Sequence, residues 1–388
     1  MSSILESEHQ CSGASDEELE LYARINWWTE GVFQMIISLI GLCGNSISIW
    51  ILCSKAMQSI FNRLLIVLAI FDNMYLIFSV LDSIRHEHGT VNVHYYLFAN
   101  VLYPLHNASL TGSIYMTVVL AFERYLAVSH PISYHNSVNS GPHWIRITRY
   151  VLPVLIFSVL FNLPKFFELH AYESASQRTV LLGNGSLVNQ TLLNVQIAPT
   201  SLRLNEDYIF YYQNNARLLV TAIVPFFALL IFNYGIYQAV GRRKHGLNQV
   251  RGGNNNNNQS LQTNAAEENR QAIMLFAIVI FFLIFNLPRN FLSLNEVLSF
   301  AQVKEDYMRG CKGLALWILL VGTLSHLLLV VNSSMNFFLY CGMSTTFRKE
   351  LKHRLCPRPP RHSRADFNLR IPRTQDQGTP SGVLLTNL

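Results

Sequence analysis

Apolar runs about as long as a bilayer is thick recur along this chain, at 31–53, 63–83, 95–128, 148–167, 216–240, 271–297 and 314–341. A hydrocarbon core is crossed by about 20 helical residues. No water is available there to satisfy the backbone, so each run must close its hydrogen bonds within itself, as helix. Composition points the same way: 50% of the 388 residues are hydrophobic and 13% are charged, against about 25% charged in a soluble domain. The expected fold is an all-α membrane protein, a seven-transmembrane helix bundle with a short amphipathic eighth helix. The bundle occupies 31–342, preceded by an acidic tail over 1–30. The amphipathic helix falls within 343–356, and a disordered tail follows over 357–388.

The formal net charge is +6, but the basic residues sit at the ends of apolar runs rather than on a folded polar face, so nucleic acid is not expected as a partner. Their distribution sets an orientation instead. With the N-terminus outside, the interior segments carry Lys55, Arg63, Arg124, Arg146, Arg149, Arg242, Arg243, Lys244, Arg251 and Arg270, and the segment after Cys341 is also rich in Lys and Arg. The exterior segments carry only Arg24, Arg85, Arg178, Arg203, Lys304, Arg309 and Lys312. That asymmetry places the N-terminus outside and the C-terminus in the cytosol of a multi-pass plasma-membrane protein. Sequons at Asn184 and Asn189, in the long loop between the fourth and fifth runs, fall on the exterior side, as glycosylation requires. The N-terminus lacks a basic stretch followed by an apolar one, so the first span is expected to act as its own signal.

Residues 1–29 are polar and acidic and read as a flexible tail. The tract at 252–264, GGNNNNNQSLQTN, has nothing to bury and reads as a disordered tether. Residues 345–355, TTFRKELKHRL, alternate Phe347, Leu351 and Leu355 with basic residues at helical spacing, which suits a helix lying on the inner leaflet. Cys356 follows it and is a candidate for palmitoylation, or simply a free cytosolic thiol. The six cysteines are scattered and form no CxxC pair, which excludes a disulfide scaffold or a zinc site. His94, His106 and His326 lie on different segments without metal-ligand spacing, and no catalytic constellation is present, so an enzyme is not expected.

Polar residues inside the spans carry the functional signal. Asp72 lies in the middle of the second run, where an ionised carboxylate costs several kcal/mol unless paired. Asn45, Ser113, Asn332, Ser333 and Asn336 lie on other spans and are its candidate partners. They either build a hydrated monovalent-cation or proton site with it or merely join helices by hydrogen bonds. A secondary transporter could use Asp72 in the same way, but no paired internal repeat or matched broken helices are visible. Pro225 and Pro288 each free a carbonyl and bend a span. Glu123-Arg124-Tyr125 places a charged pair at the end of the third run, which taken alone could be no more than a snorkelling arginine.

Taken in order, Asn45, LAIFD with Asp72, Glu123-Arg124-Tyr125, Pro225, Pro288 and NFFLY ending in Tyr340 resemble the rhodopsin-like (class A) G-protein-coupled receptors. NFFLY carries Phe337 where that family has proline. TGSIYMTVVLAFERYLAVSHP at 111–131, FNLPKFFE at 161–168 and NSSMNFFLY at 332–340 are similar to the arthropod FMRFamide-receptor group of neuropeptide receptors. The resemblance implies a receptor with an extracellular neuropeptide ligand, a heterotrimeric G protein and arrestin as partners, and membrane lipid around it. It implies a switch built from Glu123, Arg124, Tyr125, Pro225, Pro288, Asn336 and Tyr340. It also implies a sodium pocket at Asp72, Ser113, Asn332, Ser333 and Asn336, and no other cofactor.

Several departures from the family pattern bear on the ligand side. Residues 54–310 contain no cysteine, so the usual staple between the third span and the second exterior loop is absent, and Cys11 with Cys311 is the candidate exterior pair. Asn286 stands where the family has its toggle tryptophan. His106 occupies the position of the amine-binding Asp, and the seventh span has no Lys, so neither an amine nor retinal is favoured. Asp82, Tyr103, His106, Asn107, Glu168, Arg217, Arg289 and Glu296 are the ligand-contact candidates, because aromatics with convergent charges suit a short peptide. An RFamide would bring a cation, for which Glu296, Glu168 or Asp82 is the counter-charge. Glu296 is preferred, unless it pairs internally with Arg289 seven residues away on the same helix face.

Overall fold

The computed structural model describes residues 13–85, 92–139, 141–181, 187–249, 255–308 and 314–355. Cys11, Asn184, Cys311, Cys356 and the tail over 357–388 lie outside the described residues, as does the side chain of Asn189, whose backbone belongs to the hairpin described below. Among the described residues, six helices are long and apolar enough to cross a membrane: Asp16–Leu52, Ile60–Ile84, His143–Phe167, Glu206–Arg242, Ile273–Leu298 and Leu316–Ser334. The third span of the bundle, Tyr103–Ser129, has 27 residues and is equally long, but its Ser, Thr, Asn and His residues dilute its apolar character. It packs against its neighbours through an inward-facing polar seam.

The bundle is apolar outside and mixed inside, the arrangement lipid demands. Ile36, Ile40, Leu155, Ile231, Phe276 and Leu287 are exposed, whereas Ser38, Asn45, Ser48, Asp72, Ser79 and Ser113 are buried. Lipid tails are as apolar as leucine, so helix association relies on close packing and hydrogen bonds rather than on burial from water. Gly112 illustrates the first: a Cβ there would lie 2.3 Å from the Phe71 ring, so only glycine lets the second and third spans close. Asn45 illustrates the second, donating from Nδ2 to the Ser333 carbonyl at 3.0 Å and tying the first span to the seventh.

Prolines and caps account for where the helices bend and stop. Pro225 follows a π-helical stretch, Leu218–Ile223, whose wider turn accommodates the missing N–H. Pro288 lies inside the sixth helix. The third span ends at His130, just before Pro131, where the α region is disfavoured. The seventh breaks between Leu316–Ser334 and Asn336–Met343 although no proline is present. Ser334 Oγ donates back to the Val330 carbonyl at 2.8 Å, a pattern that loosens helices.

Three sequence expectations are corrected. The acidic stretch read as a flexible tail is helical over Asp16–Asn26 and runs through a π segment, Trp27–Phe33, into the first span. The reason is a capping box: Ser15 Oγ accepts from the Glu18 N–H, while Glu18 Oε2 accepts from the Ser15 N–H at 2.8 Å. The asparagine tract read as a tether is helical from Asn255, continuous with the sixth span. Once a span supplies the nucleus, each further residue costs only propagation. The long loop after the fourth span is an antiparallel hairpin, β1 (Leu169–Leu181) with β2 (Leu187–Pro199), in register from Leu169↔Pro199 to Leu181↔Leu187.

The eighth helix forms over Thr345–Leu355. Phe347 is buried against Tyr340 and Phe337, with ring centroids 5.7 and 6.2 Å away. Leu355 is exposed. Arg354 anchors the far end, donating from Nη1 to the Trp50 carbonyl at 3.0 Å and lying over the Trp50 ring.

Candidate functional site

At one end of the bundle the third span delivers Glu123 and Arg124, both buried. Arg124 Nε donates to Glu123 Oε2 at 2.9 Å, and the Tyr134 hydroxyl donates to Glu123 Oε1 from the helix Pro131–Asn139 that follows. The Arg124 guanidinium also stacks on Phe61 of the second span, 3.9 Å from its centroid. Arg146 covers the other face of the arrangement, over the Tyr134 ring at 4.6 Å. Beside these residues lies a cavity of about 590 Å³ lined by Ser59, Arg124, Ala127, Pro131, Ile132 and Tyr134. Tyr125 packs on Gly235 of the fifth span, where a Cβ would lie 2.5 Å from its ring. Charges held by local partners next to an open cavity form an element with an alternative partner within reach. Tyr134 was not among the sequence candidates. Its aromatic ring eleven residues after Glu123 was the available signal, legible only once the helix from Pro131 turns back.

In the middle of the bundle Asp72 is fully buried. Ser113 Oγ donates to its Oδ1 at 2.6 Å and Asn336 Nδ2 to its Oδ2 at 2.6 Å. These join the second, third and seventh spans at one carboxylate. Around it, Ser333 Oγ, Asn45 Oδ1 and the Tyr340 hydroxyl are buried without a hydrogen-bond partner among the described residues. Asn332 is half-buried and does not bond to Asp72. On the sixth span Asn286, two residues before Pro288, is buried and donates to the Phe282 carbonyl of its own helix at 2.8 Å.

The end carrying the hairpin is organised by Glu168, which is fully buried. Its Oε1 accepts from Lys165 Nζ at 2.9 Å and the Tyr208 hydroxyl at 2.8 Å. Its Oε2 accepts from the Tyr103 hydroxyl at 2.7 Å, Arg203 Nη1 at 2.5 Å and, more distantly, Lys165 Nζ. Burial alone would raise the pKa of this carboxyl. The Lys165 ammonium and the hydrogen bonds from Tyr103, Lys165 and Tyr208 outweigh burial and hold it down at about 2. One carboxylate therefore ties the top of the third span, the end of the fourth, the exit of the hairpin and the start of the fifth. Two of these, the third span and the exterior loop, are the parts that the staple absent from this chain joins in the family it resembles. Thr200 closes the base of the hairpin, its N–H donating to the Glu168 carbonyl at 2.9 Å.

The remaining ligand-contact candidates divide between the interior and the rim. His106 stacks on Tyr75, centroids 4.4 Å apart, with Nε2 3.1 Å from Ser79 Oγ. Asn107 Nδ2 donates to the Tyr103 carbonyl at 2.8 Å. Asp82 is half-buried near Tyr75 and His106. Arg217 and Arg289 are half-buried on the fifth and sixth spans. Glu296 is exposed and lies within electrostatic range of Arg289; its backbone carbonyl accepts from Asn214 Nδ2 at 3.4 Å. His326 Nδ1 meets Glu30 Oε1 at 2.9 Å, linking the seventh span to the first.

Comparison with known proteins places this geometry. The chain is 29% identical to an FMRFamide receptor of Drosophila melanogaster over 334 residues, 84% of this chain and 53% of that protein. It is 27% identical to sex peptide receptor-related protein 2 of Caenorhabditis elegans over 252 residues, 63% of this chain and 51% of that one. The chain thus spans about half the length of these two relatives. The crystal structure of squid rhodopsin superposes with a TM-score of 0.60 at 17% identity, covering 86% of each chain, a likeness of fold. The model of the seven transmembrane receptors of the rhodopsin family matches residues 44–340, and this chain belongs to that family.

Proposed function

We propose that the chain is a plasma-membrane receptor that couples an extracellular neuropeptide of the FMRFamide or RFamide type to a heterotrimeric G protein. The hairpin end faces outside, as the Lys and Arg distribution requires, and the Arg124 end faces the cytosol. The observation that carries the reading is the buried Glu123–Arg124 pair, held by Tyr134 and Phe61 beside a cavity about 590 Å³ in volume. An outward swing of the sixth span about Pro288 would free Arg124 to meet the G protein, and arrestin would engage the same end. The exposed Glu296 carboxylate is the counter-charge for the arginine of an RFamide. The secondary-transporter reading of Asp72 finds no support in a family of receptors.

A sodium ion fits beside Asp72, with Ser113, Ser333 and Asn336 as neighbours. Support comes from the buried Ser333 and Asn45 oxygens that lack partners among the described residues. When bound, such an ion would neutralise the carboxylate. The experiment for the receptor reading is guanine-nucleotide exchange on added heterotrimeric G protein, in membranes carrying the chain, across a library of synthetic RFamide peptides. Stimulated exchange is expected. Exchange that no peptide alters, with the chain verified in the membrane, would refute it.

A further inference from the structure

We propose that the Tyr115 hydroxyl of the third span is a positioning group that sets the register of the outer half of the fifth span, and with it which side chains that span turns toward the peptide. The link to the peptide rests on the receptor reading, whereas the register does not.

Pro225 has no N–H, so one carbonyl in the turn before it loses its ladder partner. In an α-helix that carbonyl would belong to Thr221, four residues back. Here the chain is π-helical over Leu218–Ile223, and the Val224 N–H donates to the Leu219 carbonyl, five residues back. In that register the Val220 carbonyl would next take the N–H of residue 225, which proline lacks. It is left without a donor from its own helix, inside a span where no water replaces one. The Tyr115 hydroxyl, 105 positions away in sequence, donates to it at 2.9 Å. The Tyr115 ring meets Phe157 of the fourth span edge-on, centroids 4.9 Å apart, so three spans converge on this one bond.

A π turn holds one more residue than an α turn, so this bulge rotates every side chain outward of it by about 100° from its place in an unbroken α-helix. The rotated half presents Asn214 to the sixth span, its Nδ2 donating to the Glu296 carbonyl at 3.4 Å. It presents Tyr212 to the fourth, the hydroxyl donating to the Phe161 carbonyl at 2.6 Å, and Tyr208 to Glu168 at 2.8 Å. Arg217, the ligand-contact candidate of this span, stands immediately outward of the bulge. Without the Tyr115 bond, the Val220 carbonyl regains a partner when the segment returns to the α register and the Val224 N–H meets it. The outer face then turns with it.

The test uses the full chain with a reporter cysteine, Asn214→Cys, at a position 6% exposed. Labelling of residue 214 by a membrane-impermeant maleimide, mapped by mass, should be slow when Tyr115 is present. It should be several-fold faster after Tyr115→Phe, which keeps the ring and removes only the hydroxyl. Deletion of Leu219, an exposed residue, then takes out the extra residue of the bulge. The Val224 N–H pairs with the Val220 carbonyl without help from Tyr115, while the outer half keeps its phase. Labelling should return to the slow rate in the Tyr115→Phe chain lacking Leu219, a rescue that a mere packing role for Tyr115 does not give.

Potency of Phe-Met-Arg-Phe-amide in G-protein nucleotide exchange should fall about tenfold in Tyr115→Phe, the worth of one displaced contact, and recover with the deletion. Unchanged labelling in Tyr115→Phe overturns the proposal, as does fast labelling that the deletion leaves in place. Faster labelling with unchanged potency of an active peptide overturns the link to the ligand. A peptide silent on the wild type counts against the RFamide reading alone, and labelling still decides the register. Where Tyr115→Phe does not reach the membrane, the chain that also lacks Leu219 decides: its recovery with slow labelling supports the proposal, and its loss overturns it.

Discussion

Glu168→Gln should destabilise the protein strongly, and by an amount that depends on pH in a defined sense. The substitution leaves the shape but removes the charge that Lys165 and Arg203 face at 2.9 and 2.5 Å. Lys165 is 1% exposed, so its ammonium would be left buried and uncompensated. Removing one partner of a buried pair costs about 3–5 kcal/mol. Proton linkage gives an independent figure. The carboxyl falls from an ordinary value of 4.5 to about 2 on folding, which corresponds to about 3 kcal/mol.

The sign follows from that depression. The contribution is complete above pH 4.5 and is lost as pH falls toward 2, with more than half gone by about pH 3. Apparent melting temperatures of detergent-purified wild type and variant, compared at pH 7, 5 and 3, read the difference. A gap of roughly 5–10 °C is expected at pH 7, equal at pH 5 within a small loss, and markedly narrowed at pH 3. A variant that melts with the wild type at pH 7, or a gap undiminished at pH 3, would show that Glu168 does not hold this end of the bundle together.

Tyr134→Phe removes a hydrogen bond to the Glu123 carboxylate, worth about 1.5–3 kcal/mol for a charged acceptor; basal nucleotide exchange should rise without ligand, and exchange unchanged from wild type would count against the latch. Gly112→Ala forces the Phe71 ring away from a Cβ that would sit 2.3 Å from it. It should cost about 1–3 kcal/mol as overpacking, seen as a lower melting temperature. Replacing choline chloride by sodium chloride at fixed ionic strength should raise the melting temperature of the wild type and leave Asp72→Asn unaffected. The Ala14 N–H donates to the Leu314 carbonyl at 3.1 Å, and three extended residues reach about 10 Å, so Cys11 and Cys311 should be found joined on mass mapping under non-reducing conditions. Two free thiols would dispose of that bond.

Much of the architecture could be read in advance because a bilayer makes the problem local. A span must satisfy its own backbone, so length and apolarity alone identify it, whatever the rest of the chain does. Where the reading failed, a local signal had been outweighed. The acidic residues around Asp16–Asn26 read as a tail, yet Ser15 and Glu18 form a capping box. The asparagine tract has weak helix propensity, yet it continues a helix that the sixth span has already nucleated. The strands Leu169–Leu181 and Leu187–Pro199 flank the sequence Gly183-Asn184-Gly185, residue types that favour a tight connection and were a legible hairpin signal.

The polar sites divide differently. That Asp72 needed partners followed from its place in an apolar run, since an unpaired carboxylate there is prohibitive. That Ser113 and Asn336 reach it while Asn332 does not was decided by packing, because those residues lie 41 and 264 positions away. Glu168 was offered by the sequence as a free counter-charge, and the tertiary structure gives it Lys165, Arg203, Tyr103 and Tyr208 instead. Arg217 and Arg289 were ligand-contact candidates by residue type, and the tertiary structure leaves both half-buried on the fifth and sixth spans. The sequence by itself determined which segments cross the membrane, because that choice rests on backbone hydrogen bonds closed within each segment. Only the tertiary structure decided which charges meet, because Coulombic contacts depend on distances that the chain closes between residues far apart in sequence.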